Sequence, residues 1–171
     1  PVLLLTREAA EVLKAVSDEL LAQGFRLKLF DAYRPQSAVD ALSAWAEDAD
    51  DVRMKEYFYP ELDKAALVSE GYLSNPSDHS RGSAVDLTLF DMKTERELDM
   101  GGSYGLFGES SAADYDGLTE EQLANRTLLR DVMEKHGFKA SESAWWHFTL
   151  EAEPYPGTAF AFPVSSAAVA P

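Results

Sequence analysis

Two histidines and one aspartate in this chain have the types and surroundings of metal ligands. His79 and Asp86 lie seven positions apart in the segment SDHSRGSAVD, with Gly82 between them, and His147 lies much later in AWWHF. Two imidazoles and one carboxylate are a common ligand set for a catalytic zinc ion, which keeps one coordination position for water. The metal lowers the pKa of that water towards about 7 and polarises a carbonyl group. This set therefore suggests a zinc hydrolase.

A structural role competes with metal binding at each of these positions. Asp86 lies in an otherwise apolar run, and a buried carboxylate needs a partner, which is either a metal or a basic side chain. His147 follows two tryptophans, where a hydrogen-bonded core histidine is the alternative. The third histidine, His136, falls in the predicted last turn of a helix, where an imidazole interacts favourably with the helix dipole. We expect His136 to be structural.

The elements that must position these residues are helices and strands in mixed order. Apolar residues at helical spacing predict helices, and alternating or β-branched apolar runs predict strands. The predicted helices cover residues 6–23, 37–46, 61–69 and about 119–136, and the predicted strands cover residues 25–29, 83–90, 138–140 and 145–150. Regular β-α-β alternation is missing, which favours an α+β class with a mainly antiparallel central sheet and flanking helices.

Length and composition limit the classes of protein that fit. The 171 residues favour one domain over residues 1–171, and we expect the Ser-, Ala- and Pro-rich tail 163–171 to fray. Acidic residues outnumber basic ones 30 to 15, for a net charge of −15, which argues against nucleic acid as a partner. No run of 18 apolar residues occurs, so we expect no membrane span. Cysteine is absent, which excludes thiolate ligands for a metal.

The motifs together resemble the zinc D-alanyl-D-alanine dipeptidases. The pattern S-x-H-x-x-G-x-A-x-D at residues 77–86 and the W-W-H at residues 145–147 carry the resemblance. Further matching segments extend it over nearly the whole chain: DAYRP at 31–35, YP at 59–60, NR at 125–126, GF at 137–138 and EPYP at 153–156. The wider group includes D,D-carboxypeptidases and the hedgehog signalling domain, so the resemblance implies a hedgehog/D,D-peptidase-like fold.

The resemblance implies a role for each matching residue. His79, Asp86 and His147 would bind one Zn²⁺ ion. Arg34 would hold the substrate carbonyl and stabilise the oxyanion, a contribution of about 2.7–4 kcal/mol for single donors of this kind. The remaining residues expected to contact a small D,D-dipeptide are Tyr33, Ser77, Asp78 and Trp145.

One departure from the family pattern concerns the general base. The family has Glu three residues before the last zinc-binding histidine, where this chain has Ala144. Either an engineered Glu→Ala change or a natural zinc-binding relative without peptidase activity explains it, and we favour the first. Glu142 is a weaker candidate for a substitute base, because on a strand it would share a face with Ala144 but lie about 6.5–7 Å away along the chain.

Two further departures concern substrate binding. The dipeptidases usually have an acidic residue at the position of Gly105, which we expect to bind the free amine of the substrate. Asp78 could supply a compensating charge. The family also has a few dozen more residues before the first helix, some of which help to close the pocket.

The sequence thus predicts a zinc metallopeptidase that hydrolyses D-alanyl-D-alanine or a similar D,D-dipeptide and that turns over little in this Ala144 form. A D,D-carboxypeptidase acting on peptidoglycan stem peptides and a non-catalytic zinc-binding relative are the alternatives. We expect a cytoplasmic location, although a periplasmic one is also compatible with the sequence, and so is a homo-oligomer. Vancomycin resistance, D-alanine salvage and wall recycling fit equally well.

Overall fold

The structure is a computed structural model that describes residues 2–168. The α-helices within this range are α1 (Arg7–Ala22), α2 (Gln36–Glu47), α3 (Lys55–Phe58), α4 (Lys64–Ser69) and α5 (Glu120–Lys135). The strands are β1 (Phe25–Asp31), β2 (Ala84–Asp91), β3 (Arg96–Glu97), β4 (Phe138–Ala140) and β5 (His147–Leu150). Among the described residues, no helix is both long enough and apolar enough to cross a membrane.

The five strands form one antiparallel sheet. The strand order is β1-β2-β5-β4, and β3 pairs with β2 near its end. The central strand β2 is buried on both faces from residue 84 to residue 89. This arrangement confirms the predicted α+β class with a mainly antiparallel sheet.

Helix α1 forms where the sequence predicts it, because its apolar residues recur on one face. Thr6 caps the helix, accepting a hydrogen bond from the amide of Ala9 at 3.3 Å. Beyond the other end, Gly24 adopts φ +90°, a conformation that glycine reaches without steric cost. The buried residues of this face are Ala9, Leu13, Val16 and Leu20.

Helix α5 begins with the predicted capping box. The Thr119 hydroxyl accepts from the amide of Gln122 at 3.2 Å, and the Gln122 side chain accepts from the amide of Thr119 at 3.0 Å. Leu129 and Met133 on this helix are fully buried and join the core that α1, β2, β4 and β5 share. Burial of side chains of this kind contributes about 1.5–3 kcal/mol each.

Several predicted boundaries need correction. Strand β5 begins at His147 rather than at residue 145, because the amide of Trp145 donates to the carbonyl of Ser111 at 2.9 Å instead of entering the ladder with β2. Helix α4 begins at Lys64, three residues later than predicted. In the predicted frayed tail, residues 166–168 form a short 3₁₀ helix, and residues 169–171 lie outside the described residues.

Candidate active site

His79 is held in a short 3₁₀ helix, Asp78–Arg81, just before β2. Ser77 caps this helix, and its hydroxyl accepts from the amide of His79 at 3.3 Å. Gly82 ends it at φ +70°, which agrees with the bend predicted at this glycine. The His79 side chain is buried, and its Nδ1 lies 2.6 Å from the carbonyl oxygen of Ala32. This contact directs Nε2 of His79 towards the interior of the site.

Asp86 and His147 meet across the sheet. They are register partners on β2 and β5. Oδ1 of Asp86 lies 2.9 Å from Nδ1 of His147 and 3.2 Å from Nε2 of His79. The potential ligand atoms of the three residues all lie within 4.8 Å of one another. The structure thus brings together the three residues that were predicted from the sequence as metal ligands.

Asp86 and His147 each have a further partner that fixes the orientation of the side chain. The hydroxyl of Tyr104 donates to Oδ2 of Asp86 at 3.2 Å. Thr149 donates to Asp78 at 3.0 Å, and its Oγ1 lies 3.3 Å from Nε2 of His147. Partners of this kind hold the ring orientation and the tautomer of metal-binding histidines. The arrangement leaves His79 Nε2, Asp86 Oδ1 and His147 Nδ1 facing one another.

Charged groups of opposite sign shift one another's pKa values in the site. Burial opposes the charge on Asp86, but hydrogen bonds with His147 and His79 outweigh it and hold the pKa of Asp86 below its usual range. Burial also lowers the pKa of His147, but the charge of Asp78, whose Oδ2 lies 3.9 Å from Nε2, and the hydrogen bond with Asp86 reverse the effect and raise this pKa to about 9. Burial and the nearby charge of Asp86 raise the pKa of Tyr104, so its hydroxyl keeps its proton and donates.

The donor set fits a zinc ion. Two imidazole nitrogens and one carboxylate oxygen suit Zn²⁺, and three protein ligands keep a position open for water or substrate. Without a metal, a protonated His147 supplies the positive charge among these carboxylates, and a divalent cation could replace it. His79, Asp86 and His147 could therefore hold the metal.

A cavity of about 810 Å³ opens over this group. Its volume lies within the range of small-molecule sites. The lining includes the three candidate ligands, the candidate residues Arg34, Ser77 and Asp78, and also Tyr104, Gly105, Glu142, Ala144 and Trp146.

Arg34 lies just after β1 and is fixed at both its backbone and its side chain. Its amide donates to the carbonyl of His79 at 3.2 Å. Its guanidinium donates to Oδ2 of Asp31 from Nε at 3.0 Å and from Nη2 at 2.5 Å. Two bonds to one carboxylate hold the planar group in a defined direction. Arg34 is therefore a fixed positive charge in the wall of the cavity.

The carboxylate of Asp78 is already paired with neighbouring side chains, which makes it less available for a substrate amine than the sequence suggested. Arg81 donates to Asp78 at 2.7 Å and also binds Glu153 at 2.6 Å and 2.8 Å. The ion pair with His147 at 3.9 Å and the hydrogen bonds from Arg81 and Thr149 outweigh burial and hold the pKa of Asp78 below its usual range. Asp78 lines the cavity, but Arg81 and Thr149 occupy its carboxylate.

Tyr33 and Trp145 lie outside the set of described residues that line the cavity. The hydroxyl of Tyr33 donates to the carbonyl of Phe162 at 2.9 Å, and the two rings stack. Trp145 packs against Arg126 and Trp146, and of the two tryptophans Trp146 lines the cavity. These positions do not support the predicted substrate contacts of Tyr33 and Trp145.

Ala144 lines the cavity from a loop, not from a strand. Residues 141–146 connect β4 and β5, and the amide of His147 donates to the carbonyl of Ala144 at 3.0 Å, which forms a turn. The strand spacing assumed for Glu142 and Ala144 therefore does not apply. Glu142 also lines the cavity and is exposed to solvent.

Sequence reasoning missed Tyr104 and Thr149. Tyr104 lies in a loop of irregular backbone, and Thr149 is two residues beyond His147 on β5. The alternation of a strand places residues 147 and 149 on one face, which is the signal that could have revealed Thr149. His136 binds Glu19 at 2.8 Å at the end of α5, as expected for a structural histidine.

A family profile and two similar proteins carry the same description. The profile of the Peptidase_M15 family, described as D-ala-D-ala dipeptidase, matches residues 2–165. A D-alanyl-D-alanine dipeptidase of Enterococcus faecium is 40% identical over 159 residues, which cover 93% of this chain and 79% of that protein. A D-alanyl-D-alanine dipeptidase of Streptomyces coelicolor is 41% identical over 142 residues, which cover 83% of this chain and 70% of that protein.

A solved structure shares the fold. It is the vancomycin resistance D,D-pentapeptidase VanY from a VanB-type resistance cassette, a mutant in complex with Zn(II). The TM-score is 0.50 with 16% sequence identity, and the match covers 86% of this chain and 73% of that chain. From the extent of the profile match and the identity to these relatives, we conclude that the chain belongs to the D-alanyl-D-alanine dipeptidase family, Peptidase_M15.

Proposed function

We propose that this chain is a zinc-dependent D,D-dipeptidase whose site lacks its general base. Its substrate is D-alanyl-D-alanine or a closely similar D,D-dipeptide. The observation that carries the proposal is the convergence of His79, Asp86 and His147 in the wall of one cavity, in a chain that belongs to a dipeptidase family.

The three converging side chains would hold Zn²⁺. When bound, the ion supplies Lewis-acid polarisation of a carbonyl and lowers the pKa of water towards about 7. The contact between His79 and the carbonyl of Ala32 places the hydrogen of the ring on Nδ1 and frees Nε2 as a ligand. In His147 the two nitrogens exchange these roles. Nε2 faces Thr149, and Nδ1 faces Asp86 and would be the ligand.

Arg34 would stabilise the negative charge that develops on the substrate oxygen. The guanidinium is already fixed by Asp31, so little reorganisation is needed when the charge develops. Its place in the cavity wall, with its amide bonded to the carbonyl of His79, keeps it close to the metal ligands. Arg34 binds and orients; it does not transfer a proton.

The site lacks a residue for proton transfer at the position expected for the general base. Ala144 occupies the position at which the family resemblance places a glutamate, and a methyl group neither accepts nor donates a proton. Loss of a positioned acid or base typically lowers a rate by about 10²–10⁴-fold. We therefore expect zinc binding without substantial turnover.

A D,D-carboxypeptidase acting on peptidoglycan stem peptides is the second candidate. Gly105 lines the cavity, and the family resemblance implies an acidic residue at this position that would bind the free amine of a dipeptide. A longer stem peptide has no free amine at that point, so the absence of a carboxylate favours it. The cavity of about 810 Å³ also leaves room for more than a dipeptide.

Restoring the glutamate tests the proposal. Ala144→Glu should raise the hydrolysis of D-alanyl-D-alanine by about 10²–10⁴-fold. The matched control is Ser143→Glu, which adds the same charge to the neighbouring residue of the same loop and should leave the rate unchanged. Both variants and the parent are assayed with zinc present, against D-alanyl-D-alanine and against a pentapeptide stem ending in D-alanyl-D-alanine.

The three outcomes separate the candidates. Faster hydrolysis of the dipeptide supports the dipeptidase, and selective hydrolysis of the pentapeptide supports the carboxypeptidase. If Ala144→Glu binds zinc but hydrolyses neither substrate, the chain is a non-catalytic relative and the proposed activity is wrong.

A further inference from the structure

Tyr104 contacts a candidate metal ligand from outside the motif segments described above. Its hydroxyl donates to Oδ2 of Asp86 at 3.2 Å, and its ring lines the same cavity. Asp86 is 4% exposed, and the hydroxyl of Tyr104 is the hydrogen-bond donor that the described residues provide for Oδ2. The hydrogen bond from Tyr104 therefore satisfies Oδ2 of Asp86.

The ring of Tyr104 is held on two sides. It stacks on Phe30 with a centroid distance of 4.3 Å and an interplanar angle of 11°. It meets Trp146 edge to face at 5.5 Å and 77°. Because both neighbours restrict the ring, its hydroxyl has a defined position relative to Asp86.

The two oxygens of Asp86 have different partners. Oδ1 lies 2.9 Å from His147 Nδ1 and 3.2 Å from His79 Nε2, whereas Oδ2 is bonded to Tyr104. We propose that Tyr104 is a positioning residue that occupies Oδ2 and so makes Asp86 a one-oxygen ligand of the metal. This inference rests on the metal site proposed above.

Binding of Asp86 through one oxygen would keep a coordination position of the metal open. A carboxylate binds metals through one oxygen or through both. A second oxygen on the metal would fill a position that a hydrolytic site keeps open for water and substrate. Tyr104 would thus limit the number of protein donors to three without touching the metal.

The substitution Tyr104→Phe tests this role because it removes the hydroxyl and keeps the ring between Phe30 and Trp146. Removal of an outer partner of a ligand typically lowers metal affinity by about 10–100-fold. We expect a decrease of this size in the zinc affinity of the full chain, measured by competition with a chelator. Tyr155→Phe is the matched control: it removes the hydroxyl of an exposed tyrosine outside the cavity and should leave the affinity unchanged.

Cobalt absorption tests the number of ligands separately. Co²⁺ replaces Zn²⁺ in many sites and absorbs more weakly when additional ligands bind, because its geometry changes. Tyr104→Phe should weaken the visible bands as Oδ2 joins the metal, and Tyr155→Phe should not.

The outcomes distinguish this inference from the proposed function. If the parent chain binds no zinc, the proposed function itself fails. If the parent binds zinc but Tyr104→Phe shows the parent's cobalt spectrum, Tyr104 does not control the coordination of Asp86 and the inference is overturned, whatever the change in affinity.

Discussion

Asp86 and His147 face each other as register partners on the antiparallel strands β2 and β5, with Oδ1 of Asp86 2.9 Å from Nδ1 of His147. Their contact depends on the register of the sheet, since a shift of one residue would turn His147 to the opposite face. Buried neighbours on the same two strands, Val85 and Phe148, fix that register. The fold therefore joins two ligands that are far apart in the sequence.

Removal of any one of the three ligands should abolish tight zinc binding. His79→Ala, Asp86→Ala and His147→Ala each leave two donors, which is fewer than the three that catalytic zinc sites use. Metal analysis after dialysis should give about one zinc per parent chain and almost none per variant.

His136→Ala is the control for the ligand variants. His136 binds Glu19 at the end of α5, outside the group of three, so this variant should retain the zinc of the parent. Loss of zinc from His136→Ala, or full retention by Asp86→Ala, would contradict the assignment of the ligands.

Arg34→Lys should lower the rate without changing the affinity for zinc. A lysine cannot make the two bonds that Arg34 makes with Asp31, so the positive charge loses its fixed direction. In the Ala144→Glu background we expect kcat to fall by about 10²–10³-fold, as for the loss of one oxyanion donor. Steady-state kinetics with D-alanyl-D-alanine measures this.

Arg26→Lys makes the same change at an exposed position on β1 and should leave kcat at the parent value. An equal loss in both variants would mean that the Arg34 substitution acts through the stability of the fold and not through the substrate.

Glu142→Gln should leave the low rate of the parent chain unchanged. Glu142 is exposed, and its carbonyl accepts from the amide of Ala113 at 2.9 Å, which fixes the loop and limits any shift towards the metal ligands. Hydrolysis is followed over long incubations beside Glu151→Gln, which changes a second glutamate of the cavity. A selective decrease in Glu142→Gln would identify Glu142 as a substitute base.

The ionised carboxylate of Glu19 should stabilise the fold at neutral pH and lose this effect at acidic pH. Hydrogen bonds from Lys135 and His136, at 2.8 Å each, hold the pKa of Glu19 below its usual value. A lowered folded-state pKa contributes stability above the unfolded-state value of about 4.3, and the contribution is lost as the pH falls through the folded-state pKa. Urea midpoints of metal-free parent and Glu19→Gln should therefore differ at pH 7 and converge at acidic pH.

Glu11→Gln removes an exposed carboxylate from the same helix and serves as the control. If the difference in urea midpoint between the parent and Glu19→Gln grew as the pH fell, the predicted contribution of Glu19 to stability would be wrong.

The elements that depend on local signals could be predicted from the sequence. Helix α1 has a cap, a buried face and a terminal glycine within one stretch of chain, and α5 has its capping box. The grouping of His79, Asp86 and His147 could be predicted as well, because the chain has three histidines and two of them stand in the motifs that resemble the dipeptidases.

Features that depend on packing could not be predicted. Trp145 leaves the expected strand because Ser111, distant in the sequence, accepts its amide hydrogen. Tyr33 turns to the carbonyl of Phe162, and Tyr104 reaches Asp86 from an irregular loop. No local pattern specifies such partners, since they exist only once the chain is folded.

Anomalous diffraction at the zinc absorption edge, from crystals of this chain grown with zinc, tests the central claim most directly. We expect one strong peak at about 2.0–2.2 Å from Nε2 of His79, Oδ1 of Asp86 and Nδ1 of His147. A zinc peak that none of these three atoms approaches, or one that lacks any of the three as a ligand, would contradict the account.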